Sequence, residues 1–339
     1  MRFEAKAGSN SVSGSDWIIA GDSSLPPTIL SRMLRQREGV DQRNFTIWDW
    51  HPPMFGSAIS TKIGVIDLRP YVVIASLTEA FKGRLDELLK RTDSRLSEDR
   101  NLLATTRAKV LADLGSQGVG VSSLFANHKM MTPQRGAMGF WQVLDLLGQQ
   151  RDDNREILAI PLDKIDRLVD ALCGRRSDDR RRADLLLIEL TPGRVRLAPV
   201  EIKFLRLDRP NNSLVDPLFA DEELKSAFEQ VETAAGRCRE IVENMNTSRR
   251  SADTTAILLR NALATLVDIG LRLSPTLAQS GPRRTRAAKW LSEIAGSSSL
   301  NVEMGSPLVT YLEAHDGSVR NYVGKPLGRN DSVLYQADP

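Results

Sequence analysis

This chain is short of the residues that usually announce a class. It has 2 cysteines, Cys173 and Cys238, which are far apart and lack metal-ligand spacing. That excludes a disulfide framework, and buried free thiols are expected. No Walker A loop occurs: Gly118-Val-Gly120 lacks the Lys-Ser/Thr that would follow in a phosphate loop, so the chain carries no motor of its own. His128 and His315 are isolated, and no Ser/His/Asp constellation is present. The N-terminus has no apolar signal segment. The longest helical apolar stretch, Thr254 to Leu273, is interrupted by Arg260, Asp268 and Arg272. It reads as a core helix rather than a membrane span. The expectation is a soluble cytoplasmic protein with no membrane partner.

The net charge is only +3, so bulk charge does not mark a nucleic-acid binder. The charged fraction, 26%, and the hydrophobic fraction, 41%, are ordinary for a globular protein with a core. At 339 residues the chain exceeds one typical domain, and two are expected, 1–131 and 132–339. In the first, strands are expected at Trp17–Ala20, Phe45–Trp50, Ile63–Asp67 and Tyr71–Ser76. Helices are expected from about Pro27 to Gln36, Glu79 to Arg91 and Glu98 to Leu114. This describes a small α/β accessory domain. Trp48, Trp50 and His51 form an aromatic cluster, read either as core or interface or as a base-stacking surface.

The informative stretch lies further on. Asp184-Leu-Leu-Leu-Ile-Glu-Leu190 and Val195-Arg-Leu-Ala-Pro-Val-Glu201-Ile-Lys203-Phe204 flank Thr191-Pro-Gly193, which reads as two strands and a tight turn. If Pro192 and Gly193 form the turn centre, Asp184 faces Glu201, with Lys203 on the same face as Glu201. A loop longer by a residue or two is the alternative, because Pro-Gly favours type I or II turns and two-residue hairpins favour primed ones. The second strand changes phase: Val195 and Leu197 are apolar on odd numbers, Val200, Ile202 and Phe204 on even. A bulge at Ala198-Pro199 is the expected cause. Facing carboxylates repel, and Mg²⁺ or Mn²⁺ is the expected compensator for clustered oxygen ligands. An ion-pair cluster on an ordinary hairpin is the plainer reading.

Asp184 followed by Glu201-x-Lys203 on the next strand resembles the signature of the PD-(D/E)xK nuclease superfamily. The resemblance implies an α/β fold with a restriction-endonuclease-like core: helix, three antiparallel strands, helix, strand. The matching segments are the helix Gly136–Leu147, the strand Arg155–Asp163, the hairpin, the helix Leu224–Asn244 and the strand Pro307–Glu313. A helical insertion is expected at about 250–295. The family's Pro before the aspartate is Ala183 here. Many members carry a glutamate on the leading helix, where this chain offers Gln142 and Asp145. Gln230 lies where some exonuclease-like members place a helical glutamine; a surface Gln on an amphipathic helix is the other reading.

The resemblance implies Asp184, Glu201 and the carbonyl of Ile202 as metal ligands, and Lys203 as the residue that orients water or stabilises developing charge. Three basic groups stand out: the run through Arg180, Arg181 and Arg182, the pair Arg249-Arg250, and Arg283, Arg284, Arg286 with Lys289. The first run leads into Asp184 and is a candidate phosphate contact, or else a solvated loop. The order of elements from Ile74-Ala-Ser76 to Asp184 also resembles nuclease regions of large bacterial DNA translocases or helicases in phage defence, such as those of phosphorothioate-dependent restriction. The expectation is a Mg²⁺- or Mn²⁺-dependent endodeoxyribonuclease, acting on DNA with a separate ATPase or as a homo-oligomer. The alternative is a catalytically inactive nuclease-fold subunit that binds DNA or serves as a scaffold.

Overall fold

The structure is a computed structural model. It describes residues 3–5, 18–22, 45–50, 71–76, 79–92, 95–117, 136–141, 143–144, 155–173, 183–205, 222–248, 254–273, 281–296, 300–315, 318–324 and 336–337. The expected helix at Pro27–Gln36, the strand at Ile63–Asp67, the loop Gly118–Gly120, and Trp17, His51, His128, Gln142, Asp145, Arg180, Arg181, Arg182, Arg249 and Arg250 lie outside them.

The fold is mixed α/β, with mostly antiparallel strands. Strands β1 (Phe3–Ala5), β2 (Ile18–Asp22), β3 (Phe45–Trp50) and β4 (Tyr71–Ser76) form an antiparallel sheet in the order β1-β2-β4-β3. Helices α1 (Glu79–Thr92), α2 (Arg95–Glu98) and α3 (Arg100–Gln117) follow. The expected helix from Glu98 is interrupted at Asp99. The Asp99 carboxylate accepts the N–H groups of Asn101 and Leu102, at 2.8 and 3.0 Å, and so caps α3 at its start.

Helical residues 136–141 and 143–144 form α4. Ala137, Met138 and Trp141 pack with Phe81, Leu85, Leu89, Val110 and Leu114 of α1 and α3. The Trp141 indole N–H donates to Asp113 at 3.0 Å. Val143 instead packs with Leu185, Val200 and Ile202 of the second sheet, and Phe140 touches both clusters.

The second sheet has the order β11-β10-β9-β7-β6-β5, with β8 also on β7. Its strands are β5 (Glu156–Pro161), β6 (Leu185–Thr191), β7 (Arg194–Leu205), β8 (Asn301–Met304), β9 (Leu308–His315), β10 (Ser318–Gly324) and β11 (Gln336–Ala337). β5, β6 and β7 form an antiparallel meander, and β8 and β9 join β7 in parallel. Helices α5 (Leu162–Cys173), α6 (Glu222–Ser248), α7 (Thr254–Leu273) and α8 (Gly281–Gly296) supply one face of the core. α7 is a core helix, as its sequence implies, and lies so close to β5 that a Cβ at Gly270 would stand 2.9 Å from the Leu158 Cβ. Among the described residues, no helix is long and apolar enough to cross a membrane.

The expected first strand ends early. Pro161 closes β5, and the next residues form α5, whose Leu162, Ile165, Leu168, Val169 and Leu172 recur at helical spacing and are buried. The hairpin turn is the two-residue one: Thr191 pairs with Arg194, and Gly193 has φ +69°. A positive φ after proline fits a type II turn, and glycine takes it without steric cost.

No bulge occurs at Ala198-Pro199. Leu187 pairs with Ala198 and Leu186 with Pro199 in an unbroken ladder. The phase change has another cause: the sheet is covered on both faces. Val195 and Leu197 face the large core under α6 and α7, whereas Val200 and Ile202 face the smaller core with Val143 of α4. Pro199 is tolerated because β8 pairing ends at Leu197 and β9 pairing starts at Val200. Its missing N–H falls in the gap between two partner strands.

Candidate active site

β6 starts at Leu185, opposite Val200, so the next step of the same register sets Asp184 across from Glu201. The ladder ends there and side chains take over. The Asp184 carboxylate accepts the Ile202 N–H at 2.8 Å, occupying the place of a strand partner. N–H and C=O of one strand residue project to the same edge, so the Ile202 carbonyl also faces the Asp184 side. Alternation puts Glu201 and Lys203 on the large-core face, and the parallel neighbour of Glu201, Val309, belongs to that core.

The electrostatics of the pair are unfavourable without a further cation. Glu201 is only 2% exposed. Its Oε1 meets the Lys203 ammonium at 2.7 Å, while its Oε2 is buried and has no protein donor. Burial, and then the Asp184 charge, push its carboxyl up to about 7, against the pull of Lys203 and of the Asp184 N–H. Protein packed around the Asp184 carboxyl raises it too, opposed by the Ile202 N–H and Lys203 and assisted by Asp163. Asp184 as a residue keeps an exposed edge. Its carboxyl is nevertheless packed against β7, where it accepts the Ile202 N–H, and that enclosure raises it.

Asp163 is a site neighbour that the sequence reading placed in a strand. It lies in the first turn of α5, exposed. The Leu162 N–H donates to the Asp184 carbonyl at 3.0 Å and pins that turn to the end of β6. The signal was available: Pro161 directly before an amphipathic stretch, with an aspartate in its first turn, is a helix start.

Gln230 is on α6, half-buried, with a buried Oε1 that has no protein donor, rather than a surface glutamine. α6 packs on β7, β8 and β9, and its Asn246 amide donates to the Val302 carbonyl of β8 at 3.1 Å. Val302 pairs with Val195, so the C-terminal end of α6 lies at the turn end of β7. Gln230 is about 24 Å back along the helix and Glu201 about 20 Å along the strand, which puts them at a similar level.

The far end of the hairpin carries a different charge pattern. Glu189 is held by Arg155 and Arg196, at 2.8 and 3.0 Å, and Glu303 by Arg194 and Arg196, both at 3.5 Å. Each of those carboxylates meets two arginines, whereas the Asp184–Glu201 pair has a single protein cation beside it, Lys203. Beneath the sheet, Arg237 of α6 binds Asp166, at 3.1 Å, and Asp170, both on α5. Cys173 and Cys238 are free thiols, as expected; burial raises them to about 11 and about 12, so they are inert.

Among the described residues, no three His, Cys, Asp or Glu side chains stand close enough together to hold one metal ion. A cation at the strand ends is instead offered two carboxylates and the edge that the Ile202 carbonyl faces. The buried, donorless Oε2 of Glu201 is the observation that makes this donor set fit a hard divalent ion. No protein-family model matches the chain, and neither does any curated protein or solved structure.

Proposed function

We propose that this chain is a Mg²⁺- or Mn²⁺-dependent nuclease with a restriction-endonuclease-like core, hydrolysing phosphodiester bonds of DNA. The observation that carries the reading is the Asp184–Glu201 pair: two carboxylates meet where a ladder stops, and one buried oxygen has no donor. The strand order supports it. Three antiparallel strands, then helix α6 and, after further helices, strand β9 agree with the implied order of three antiparallel strands, helix and strand.

A bound divalent cation supplies a Lewis acid and a water of lowered pKa. Asp184 and Glu201 would hold it, with the Ile202 carbonyl as third donor. Lys203 fixes Glu201 through Oε1 and stands where its ammonium would offset negative charge developing on a phosphate. The Ile202 N–H keeps Asp184 from turning away from the site. Gln230 is an auxiliary candidate from α6. Arg180, Arg181 and Arg182, next to Asp184 in sequence, would contact the phosphate backbone.

The setting would be DNA processing or anti-phage restriction, with a DNA-translocating ATPase or a second copy of the chain as partner. A second reading, an inactive nuclease-fold subunit that binds DNA, is favoured by the lack of a three-ligand cluster among the described residues. The deciding experiment is cleavage of plasmid and single-stranded DNA with Mg²⁺, Mn²⁺ or EDTA. Metal-dependent cutting that Asp184→Asn and Glu201→Gln abolish supports the nuclease. DNA binding without cutting under every condition supports the second reading.

A further inference from the structure

Asp163 comes from an element outside the hairpin, yet the fold brings it to the same strand ends. α5 begins immediately after β5, and its first backbone N–H is bonded to the Asp184 carbonyl at 3.0 Å. Asp163 follows by one residue, exposed, in the first helical turn. α5 is also tied to α6, because Asp166 and Asp170 on its next turns both hold Arg237.

The strand ends therefore gather three carboxylates, Asp163, Asp184 and Glu201, and one ammonium, Lys203. One divalent cation balances that excess. The buried Oε2 of Glu201, with no donor, marks where the balance is missing. Asp163 is not close enough to join Asp184 and Glu201 as a direct ligand. A carboxylate one water farther out is suited to accept hydrogen bonds from a metal-bound water, and Mg²⁺ and Mn²⁺ sites commonly keep such waters.

We infer that Asp163 is a positioning residue of the metal site, holding through a coordinated water the cation that Asp184 and Glu201 bind directly. This rests on the metal-site reading above. It adds a carboxylate from α5 to a site otherwise built from one hairpin.

The test is Mn²⁺ binding to the full chain, followed by calorimetry and by the electron paramagnetic resonance signal of free Mn²⁺. The proteins are the wild type, Asp163→Asn, Asp163→Glu and Glu201→Gln, each checked for fold by circular dichroism. Asp163→Asn should weaken Mn²⁺ binding about tenfold, as loss of an outer carboxylate does. Asp163→Glu should recover most of the loss, and Glu201→Gln should remove binding. The Asn defect should persist from about 0.1 M to about 1 M KCl, where the screening length falls from about 10 Å to about 3 Å. Wild-type affinity in Asp163→Asn, or a defect that disappears in high salt, overturns the role of Asp163 and leaves the metal site standing. A wild type that does not bind Mn²⁺ overturns both.

Discussion

The Ile202 N–H donates to the Asp184 carboxylate at 2.8 Å, so a side chain finishes a ladder that the backbone of β6 has left. This bond orients one carboxylate toward Glu201 and ties the site to the strand end. It also separates the effects of substitutions. Asp184→Asn keeps an acceptor for Ile202, whereas Asp184→Ala removes it and leaves a partly buried N–H unsatisfied, at a cost of about 1–3 kcal/mol. Each of Asp184→Asn, Glu201→Gln and Lys203→Ala should abolish metal-dependent cleavage with the fold intact. Full activity in any one of them, in a plasmid-nicking assay, would remove that residue from the mechanism.

Stability without metal should depend on pH in an unusual direction. The Glu201 carboxyl is raised in the folded state, from an ordinary 4.5 to about 7, so the native state holds its proton more tightly than the unfolded chain. The stabilisation is fully present below the ordinary value and is lost as pH rises through about 7, amounting to at most about 3 kcal/mol. Asp184 is raised too and works in the same direction. Urea unfolding in EDTA should show the wild type losing stability from pH 4.5 to 7, with Glu201→Gln losing less. At pH 8 that variant should be the more stable protein, by about 1–3 kcal/mol. Parallel pH profiles would mean that Glu201 does not carry a desolvated charge.

The Arg237 clamp should matter for stability more than for chemistry. Its side chain is 12% exposed and serves two carboxylates of α5. Arg237→Ala leaves Asp166 and the buried Asp170 without that cation and should cost about 3–5 kcal/mol. Chemical denaturation measures it. A loss under about 1 kcal/mol would show that α5 is held by its apolar face alone.

Gly270 should resist enlargement. An added methyl group would stand 2.9 Å from the Leu158 Cβ, and both elements are buried. Gly270→Ala should lower stability by about 1–3 kcal/mol, with a matching fall in Tm, although alanine is the better helix former. A stabilised variant would mean that α7 and β5 can separate without loss.

The arginine run is testable although it lies outside the described residues. Replacing Arg180, Arg181 and Arg182 with Gln should weaken DNA binding alike for all sequences and flatten its salt dependence by up to about three units of slope. Unchanged affinity and slope would make the run a solvated loop.

Much of this protein was determined by its sequence alone. Pro192-Gly193 implied the turn, and with it the register that sets Asp184 opposite Glu201, because a two-residue loop leaves one pairing. The sequence also implied α6 as the helix after the lysine strand and α7 as a core helix. Tertiary structure decided the rest. The change of apolar phase in β7 reads as a bulge from one strand, but a sheet covered on both faces demands apolar residues on each side in turn. Pro199 needed the gap between β8 and β9, which only a partner over a hundred residues away in sequence supplies. Asp163 and Gln230 reach the level of the carboxylates because helices fold back over the strand ends. Local pattern carries register and amphipathic faces; which distant side chains share a site depends on packing between elements, which a single strand or helix does not encode.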